Sequence, residues 1–374
     1  MKHFLSLSVL IAILWGCDVE NTSQTEEKEK TATYTITYDL TGGSWKNGVI
    51  TEKTLPTAQD IEKVGYDFVD WYDENGNRVT QITNEFIVKH GYDKSGKKVT
   101  QIIKIANGNI TLYANWKVQE KFILVESATI TDSDGSEVII PYDFEISDHE
   151  LTQAEYEEYC SYTGSGPSRD YGMGINYPAY KVSWYDAIVY CNRRSIAERR
   201  SPCYTINGST NPDDWKKEDD PYYHTWEDVT CTFYADGYRL PTIAEWEYAA
   251  RGGNKLTGTQ YKYAGSDTID DVAWYKDNSG NKTHEVKGKK ANELGLYDMS
   301  GNVDEWCWDF GVERSNNGFG PWQIIRDMRV YCGGSWEGEL RSCELDSFFA
   351  YGHGSASAYG SSFKHIGFRI VRGT

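Results

Sequence analysis

Apolar and polar residues alternate in three short runs ahead of residue 118. Tyr34-Thr35-Ile36-Thr37-Tyr38 has the period of a half-buried strand, and Gly42-Gly43 then turns the chain. Gly65-Tyr66-Asp67-Phe68-Val69-Asp70-Trp71-Tyr72 reads as a second strand, closed by a turn at Asn75-Gly76. Ile110-Thr111-Leu112-Tyr113-Ala114-Asn115-Trp116 is the last of the three. Between the second and third runs, Asn84 to Thr100 reads as an insertion.

The pattern changes beyond Val118. Phe122-Ile123-Leu124-Val125 and Glu137-Val138-Ile139-Ile140 are strand-like. A helix is predicted from Leu151-Thr152-Gln153-Ala154-Glu155-Tyr156, where Thr152 and Glu155 have capping-box spacing and can serve the free amides of the first turn. A second helix is predicted to start at Ser183-Trp184-Tyr185-Asp186-Ala187 and to run through Cys191. Arg239-Leu240-Pro241-Thr242 leads into a third, Ala244 to Ala250, stopped at Gly252-Gly253. No period lasts through residues 337–366, about half of which are Ser, Ala, Gly and Tyr. Tyr among small residues suits a recognition surface, because Tyr gives a large amphipathic contact at low entropy cost. The same composition also suits a plain surface loop.

At 374 residues the chain has room for two domains. A net charge of -18 argues against nucleic acid as a partner and against adsorption to anionic lipid. Thirteen Trp and 28 Tyr suit a loop-rich fold buttressed by large side chains.

The N-terminus reads as a processing signal, with basic Lys2 and His3 ahead of an apolar run, Phe4 to Leu14, too short to span a bilayer. That run ends in Leu14-Trp15-Gly16-Cys17, which resembles a bacterial lipobox; the resemblance implies lipidation at Cys17. Residues 1–17 are then the signal peptide, and the polar stretch 18–32 a flexible tether. Seven cysteines remain, an odd number, with no CxxC pair. Cys203 and Cys231 flank an insertion rich in Asp, Tyr and Trp and are a candidate disulfide.

Residues 33–117 resemble the Listeria–Bacteroides repeat, the B-repeat of internalins. The resemblance rests on the opening strand with Gly42-Gly43, the Gly65-Tyr66-x-Phe68-x-x-Trp71-Tyr72 segment and the closing Leu112-Tyr113-Ala114-x-Trp116. It implies a small β-grasp-like spacer domain. Residues 118–374 resemble the formylglycine-generating enzyme (sulfatase-modifying factor) domain. The matching motifs are Pro178-x-x-x-Val182-Ser183-Trp184-Tyr185-Asp186-Ala187, Tyr238-Arg239-Leu240-Pro241-Thr242 through Gly253, Gly295-Leu296-Tyr297-Asp298-Met299-Ser300-Gly301-Asn302-Val303-x-Glu305-Trp306, Gly333-Gly334-Ser335-Trp336 and Gly367-Phe368-Arg369. The implied fold class is α+β, a variant of the C-type lectin fold preceded by the repeat domain.

Fold does not give function, so the implied catalytic positions are read one by one. The enzymes of this family bind copper through two cysteines, two and seven residues past the aromatic of the Gly-Gly-Ser-aromatic motif. Here those positions hold Gly338 and Cys343, so one thiolate of the pair is missing and no catalysis is expected. The seven histidines form no arrangement like the three-His iron site of the related sulfoxide synthases. A Ca²⁺ loop is implied at Asp298, Gly301, Val303 and Glu305; the alternative is that Asp298 and Glu305 bond backbone in a buried turn. No other cofactor is expected.

The fixed clusters that bracket an irregular tail resemble the variable proteins of diversity-generating retroelements, of the Treponema type. In those systems Asn codons are randomised at adenines while the closing Gly-Phe-Arg stays fixed. The resemblance implies a variable region at about 330–369, with ligand-facing positions Cys332, Gly338, Leu340, Ser342, Ser347, Phe349, Tyr351, His353, Ser355, Ser357, Tyr359 and Ser361. Glu337, Glu339, Glu344 and Lys364 are not reached from Asn codons by adenine changes and count as framework. The expected protein is a monomeric lipoprotein of the outer membrane or cell surface. Its partner is a protein or other macromolecule on host or bacterial surfaces. A copper- and oxygen-dependent enzyme of the formylglycine type and an envelope protein with one fixed ligand are the alternatives.

Overall fold

The computed structural model describes residues 5–9, 34–46, 55–82, 86–92, 98–104, 109–131, 137–162, 166–215, 228–255, 260–314, 322–345, 354–357 and 363–374. The chain divides into two compact units, Met1–Gln119 and Glu120–Thr374.

The first unit is built on one seven-stranded sheet. Its strands are β1 (Leu5–Val9), β2 (Tyr34–Asp39), β3 (Tyr66–Asp73), β4 (Arg78–Ile82), β5 (Phe86–Tyr92), β6 (Lys98–Lys104) and β7 (Asn109–Val118). The spatial order is β1-β2-β7-β3-β4-β5-β6, with β2 and β7 parallel and β3 antiparallel to β7. The turn after β3 is closed by Asp73, whose Oδ1 accepts from the Asn75 and Asn77 amides, and Gly76 takes φ 74°. Tyr38, Ile61, Trp71, Leu112 and Trp116 pack into one core. Gly43 is required by that core, since a Cβ there would lie 2.5 Å from the Trp116 ring. The stretch that reads as an insertion supplies β5 and the start of β6, a hairpin that extends the sheet. The Leu5–Val9 part of the apolar N-terminal run pairs antiparallel with β2.

The second unit holds two four-stranded sheets and a set of capped helices. The first sheet joins β8 (Phe122–Val125), β9 (Phe144–Ser147), β10 (Tyr238–Arg239) and β15 (Val371–Gly373) in the order β8-β9-β15-β10, so the C-terminus closes beside the start of the unit. The second joins β11 (Asp304–Arg314), β12 (Trp322–Cys332), β13 (Gly354–Ser357) and β14 (Ile366–Gly367) in the order β13-β12-β11-β14. Helix α1 (Gln153–Tyr159) starts at Thr152, α2 (Trp184–Ala197) at Ser183 and α3 (Ile243–Ala250) at Thr242. Each N-cap hydroxyl accepts the amide three residues on, and the carboxylate of Glu155, Asp186 or Glu245 accepts from the cap amide. Aromatic side chains fill much of the interior, Tyr156, Trp184, Tyr190, Tyr204, Trp306 and Phe368 among them.

Candidate ligand-binding surface

The site is built from two fixed ends. At the first, Gly333 and Gly334 take φ of 100° and 76°, the region that favours glycine. A Cβ on Gly334 would lie 2.8 Å from the Ser342 backbone and 2.9 Å from Cys343 Sγ, so the chain doubles back on itself there. Trp336 follows, its amide bonded to the Asn302 carbonyl at 2.8 Å and its ring stacked on Tyr171. At the second end a Cβ on Gly367 would meet the Ala179 carbonyl at 2.3 Å. Phe368 is fully buried, and Arg369 donates to the Glu305 carboxylate and to the carbonyls of Ser147 and Tyr297.

Between these ends residues 337–342 lie at the surface, and Cys343 and Leu345 turn back into the interior. Residues Leu340–Cys343 form a single 3-10 turn. Glu339, Leu340 and Arg341 are exposed, and Glu337, Gly338, Ser342 and Glu344 are partly so. Glu337 bridges to the far end of the variable region, its Oε2 2.7 Å from Lys364 Nζ and its Oε1 2.7 Å from His365 Nδ1. Gly354–Ser357 returns as the edge strand β13, in register with Met328–Tyr331 of β12.

A layer of acidic groups lies under the entry of this segment. Burial pushes the Asp304 carboxyl up to about 7, against the pull of the Ser335 hydroxyl and the Gly334 amide. Burial likewise pushes Glu150 well up, helped by the nearby Asp298 and Glu305 charges. Glu150 accepts from the Val303 amide at 2.9 Å and from Asn302 Nδ2 at 2.7 Å.

The structure separates the expected ligand-facing positions. Leu340 is 36% exposed. Ser342 is part-exposed, with its Oγ turned back onto the Glu339 carbonyl at 2.7 Å. Gly338 is part-exposed and tightly seated: a Cβ there would lie 2.5 Å from Ser342 Oγ and 3.1 Å from the Ser335 carbonyl. Ser355 and Ser357 lie on β13, opposite Val330 and Met328. Cys332 corrects the sequence reading: it faces the core, not a ligand. It is fully buried, with its Sγ 3.5 Å from Cys307 Sγ, because it falls on the inward face of β12. Ser347, Phe349, Tyr351, His353, Tyr359 and Ser361 lie outside the described residues, as does Cys17. Cys203 and Cys231 are free thiols and form no disulfide.

Neither family metal fits the residues present. Cys343 is 2% exposed, packed with Tyr263, Val272 and Tyr275, and burial pushes its thiol up to about 12. One enclosed thiol with a glycine at the other position supplies a single sulfur ligand, not the two of the copper site. At the calcium positions the Glu305 carboxylate already accepts from Arg369 and, at 2.6 Å, from Trp246 Nε1. Asp298 Oδ2 accepts from the Lys287 amide at 2.7 Å. Among the described residues no group of three or more His, Cys, Asp or Glu is placed to hold a metal ion.

The residues that contact this surface from elsewhere went unmarked in the sequence. Tyr171, Lys262 and Lys276 come from separate loops, and Lys276 lies 63 positions from its partner Glu339.

Residues 88–374 match the family described as the sulfatase-modifying factor enzyme 1-like domain, and residues 34–91 match the Listeria–Bacteroides repeat domain. The chain is 38% identical over 251 residues to the chaperone protein LppX of Paenibacillus barcinonensis, covering 62% of this chain and 84% of that one. It is 29% identical over 175 residues to the formylglycine-generating enzyme of Streptomyces coelicolor, covering 40% of this chain and about half, 52%, of that enzyme. Among solved structures, Treponema denticola variable protein 1 superposes with a TM-score of 0.56 at 31% identity, covering 69% of this chain and 96% of that one.

Proposed function

Because this chain belongs to the sulfatase-modifying factor enzyme 1-like family, yet has a glycine where the family's first copper thiolate stands, we propose that it is a non-catalytic binding protein whose C-terminal segment is its ligand surface. The observation that carries this reading is the contrast between the two fixed ends and the chain between them. Gly333 to Trp336 and Gly367 to Arg369 are locked into the core, while Glu339 to Arg341 stand in solvent. A rigid frame with an exposed segment is the physical requirement of a paratope: the frame prepays the ordering cost, and the exposed residues set shape and chemistry.

The finer reading is a segment diversified by a retroelement and displayed on a lipoprotein of the outer membrane or cell surface. Its ligand is a protein or other macromolecule on a host or bacterial surface, and the chain acts as a monomer. The likeness to Treponema denticola variable protein 1 supports this reading, as does the mix of Ser, Gly, Ala and Tyr in the tail. The apolar run ending in Cys17 and the polar tether behind it support the anchor.

The identity to a chaperone supports a second reading, a fixed surface that holds one class of client. Sequencing the 3′ end of the gene and its downstream flank across isolates separates the two. Substitutions confined to residues 338–361, arising at adenines and matched by a nearby template repeat, are expected. An unchanging tail leaves the fixed-surface reading. The enzymatic alternative is tested by incubating the protein with Cu(I), oxygen and a Cys-containing peptide. Conversion of the Cys to an aldehyde would overturn the non-catalytic assignment.

A further inference from the structure

The four residues of the tail that adenine changes at Asn codons cannot produce are all ion-paired. Lys364 Nζ meets Glu337 at 2.7 Å, Lys276 Nζ meets Glu339, and Lys262 Nζ meets Glu344 at 3.1 Å. The lysines come from three separate segments, two of them before residue 280. Two of the same lysines also hold the segment through their backbone: the Lys276 amide donates to the Gly338 carbonyl at 3.1 Å, and the Leu345 amide to the Lys262 carbonyl at 2.9 Å. The Lys364 carbonyl accepts from Trp336 Nε1 at 3.3 Å, and its ammonium lies 4.8 Å from the Trp336 ring centre. All three ammonium groups are held above their ordinary range, in each case first by the hydrogen bond to the paired glutamate.

The spacing of these pairs matters more than their strength. Gly338 lies between Glu337 and Glu339, and Leu340 and Ser342 lie between Glu339 and Glu344; these three are the described positions on this stretch expected to change. We infer that Glu337, Glu339, Glu344 and Lys364 are fixed ion-pair posts that hold residues 337–345 on one backbone path, so that the exposed Leu340 between them can be exchanged without moving the surface that presents it. The exchange of positions rests on the diversified reading; the posts do not. A pair that uses only atoms outside the exchanged positions cannot be broken by the exchange. Exposed pairs are individually weak, but three along nine residues add restraint to residues 337–342, which precede the buried anchors Cys343 and Leu345.

The test is amide hydrogen exchange of the full-length protein, followed in peptides covering residues 332–345. Glu337→Gln, Glu339→Gln and Glu344→Gln are expected each to speed exchange there by roughly two- to fivefold, and the triple variant by about tenfold or more. Salt near ~1 M is expected to move the wild type part of the way, since the Debye length falls to about 3 Å. The charge-swapped pair Glu339→Lys with Lys276→Glu is expected to recover wild-type exchange, which a purely steric role for Glu339 would not produce. Leu340→Ser and Leu340→Tyr are expected to leave exchange within about twofold of wild type. Peptides from α2 report whether any variant has lost its fold. Unchanged exchange in the triple variant, or a swap that fails to recover protection in a folded protein, overturns the inference. No ligand is used: an invariant tail across isolates sinks the diversified reading alone, and a flat exchange profile sinks the posts alone.

Discussion

Arg369 Nε and Nη2 each lie 2.6 Å from an oxygen of the Glu305 carboxylate, and neither side chain reaches solvent. The pair ties the last strand region to the start of β11, across 64 positions of sequence. Removing one partner leaves the other charged and buried, which typically costs about 3–5 kcal/mol. Arg369→Ala and Glu305→Gln are therefore expected to lose that much in urea unfolding. Arg369→Lys is expected to recover little, because an ammonium cannot reproduce the two-pronged bond. Losses under about 1 kcal/mol, the range of an exposed pair, would show that the site is wetter than the structure makes it.

Gly334 and Gly295 offer a matched comparison. Both have positive φ, 76° and 87°, but only Gly334 has neighbours where a Cβ would go. Alanine at 295 should cost only the left-handed backbone, roughly 1 kcal/mol. Alanine at 334 adds a clash with the Ser342 backbone and Cys343 Sγ, for a total of roughly 2–5 kcal/mol. Thermal melts of the two variants check the difference. Equal losses would mean that the doubling-back at residues 334–343 is not tight in solution.

What could be read from the sequence was local. Thr152 and Glu155 sit three residues apart, so their capping chemistry is visible in a short window, and the structure adds the same box at Ser183 and Asp186. The Gly-Gly-Ser-Trp and Gly-Phe-Arg clusters carried the family because their backbone demands are written into residue type. The pairing of Glu339 with Lys276 was not visible, because nothing local in either residue names a partner 63 positions away. Asn84 to Thr100 reads only as an insertion, yet β5 pairs there with the edge β4 and β6 pairs with β5, long-range partners that no local pattern names. Cys332 was misread for a related reason. It sits one residue before the first fixed glycine and looks like part of the variable tail, but the pleat of β12 sends it into the core with Val330.

That burial makes a prediction about natural variation. Cys332 is fully buried in one core cluster with Trp246, Met299, Val330 and Leu345, where a larger side chain has to displace close-packed neighbours. Cys332→Tyr is expected to lose about 1–3 kcal/mol or more by overpacking, while Cys332→Ala should be milder. Leu340→Tyr, on the exposed turn, should be close to neutral. Denaturant midpoints for the three variants check the ranking. A Cys332→Tyr variant that folds with wild-type stability would return position 332 to the ligand surface.

Asp304 gives the acidic layer a pH signature. Its ordinary value is 3.8, and burial moves it up to about 7 in the folded chain. Between those values the folded state holds a proton that the unfolded state has lost. Stability from this group is therefore fully present below about pH 4 and drains away as pH rises through about 7. Asp298, pushed up to about 6 by burial, and Glu150, pushed well up, act with the same sign. Asp304→Asn keeps the shape of the protonated acid and cannot ionise. It is expected to match the wild type near pH 4 and to exceed it above pH 7, by an amount on the order of a few kcal/mol. Some slope should persist in the variant, because Asp298 and Glu150 still titrate. Unfolding free energies measured across this range decide the point. A variant that is weaker than wild type at pH 8 would mean that the ionised Asp304 carboxylate, bonded to Ser335 and the Gly334 amide, is what holds the entry of the variable segment in place.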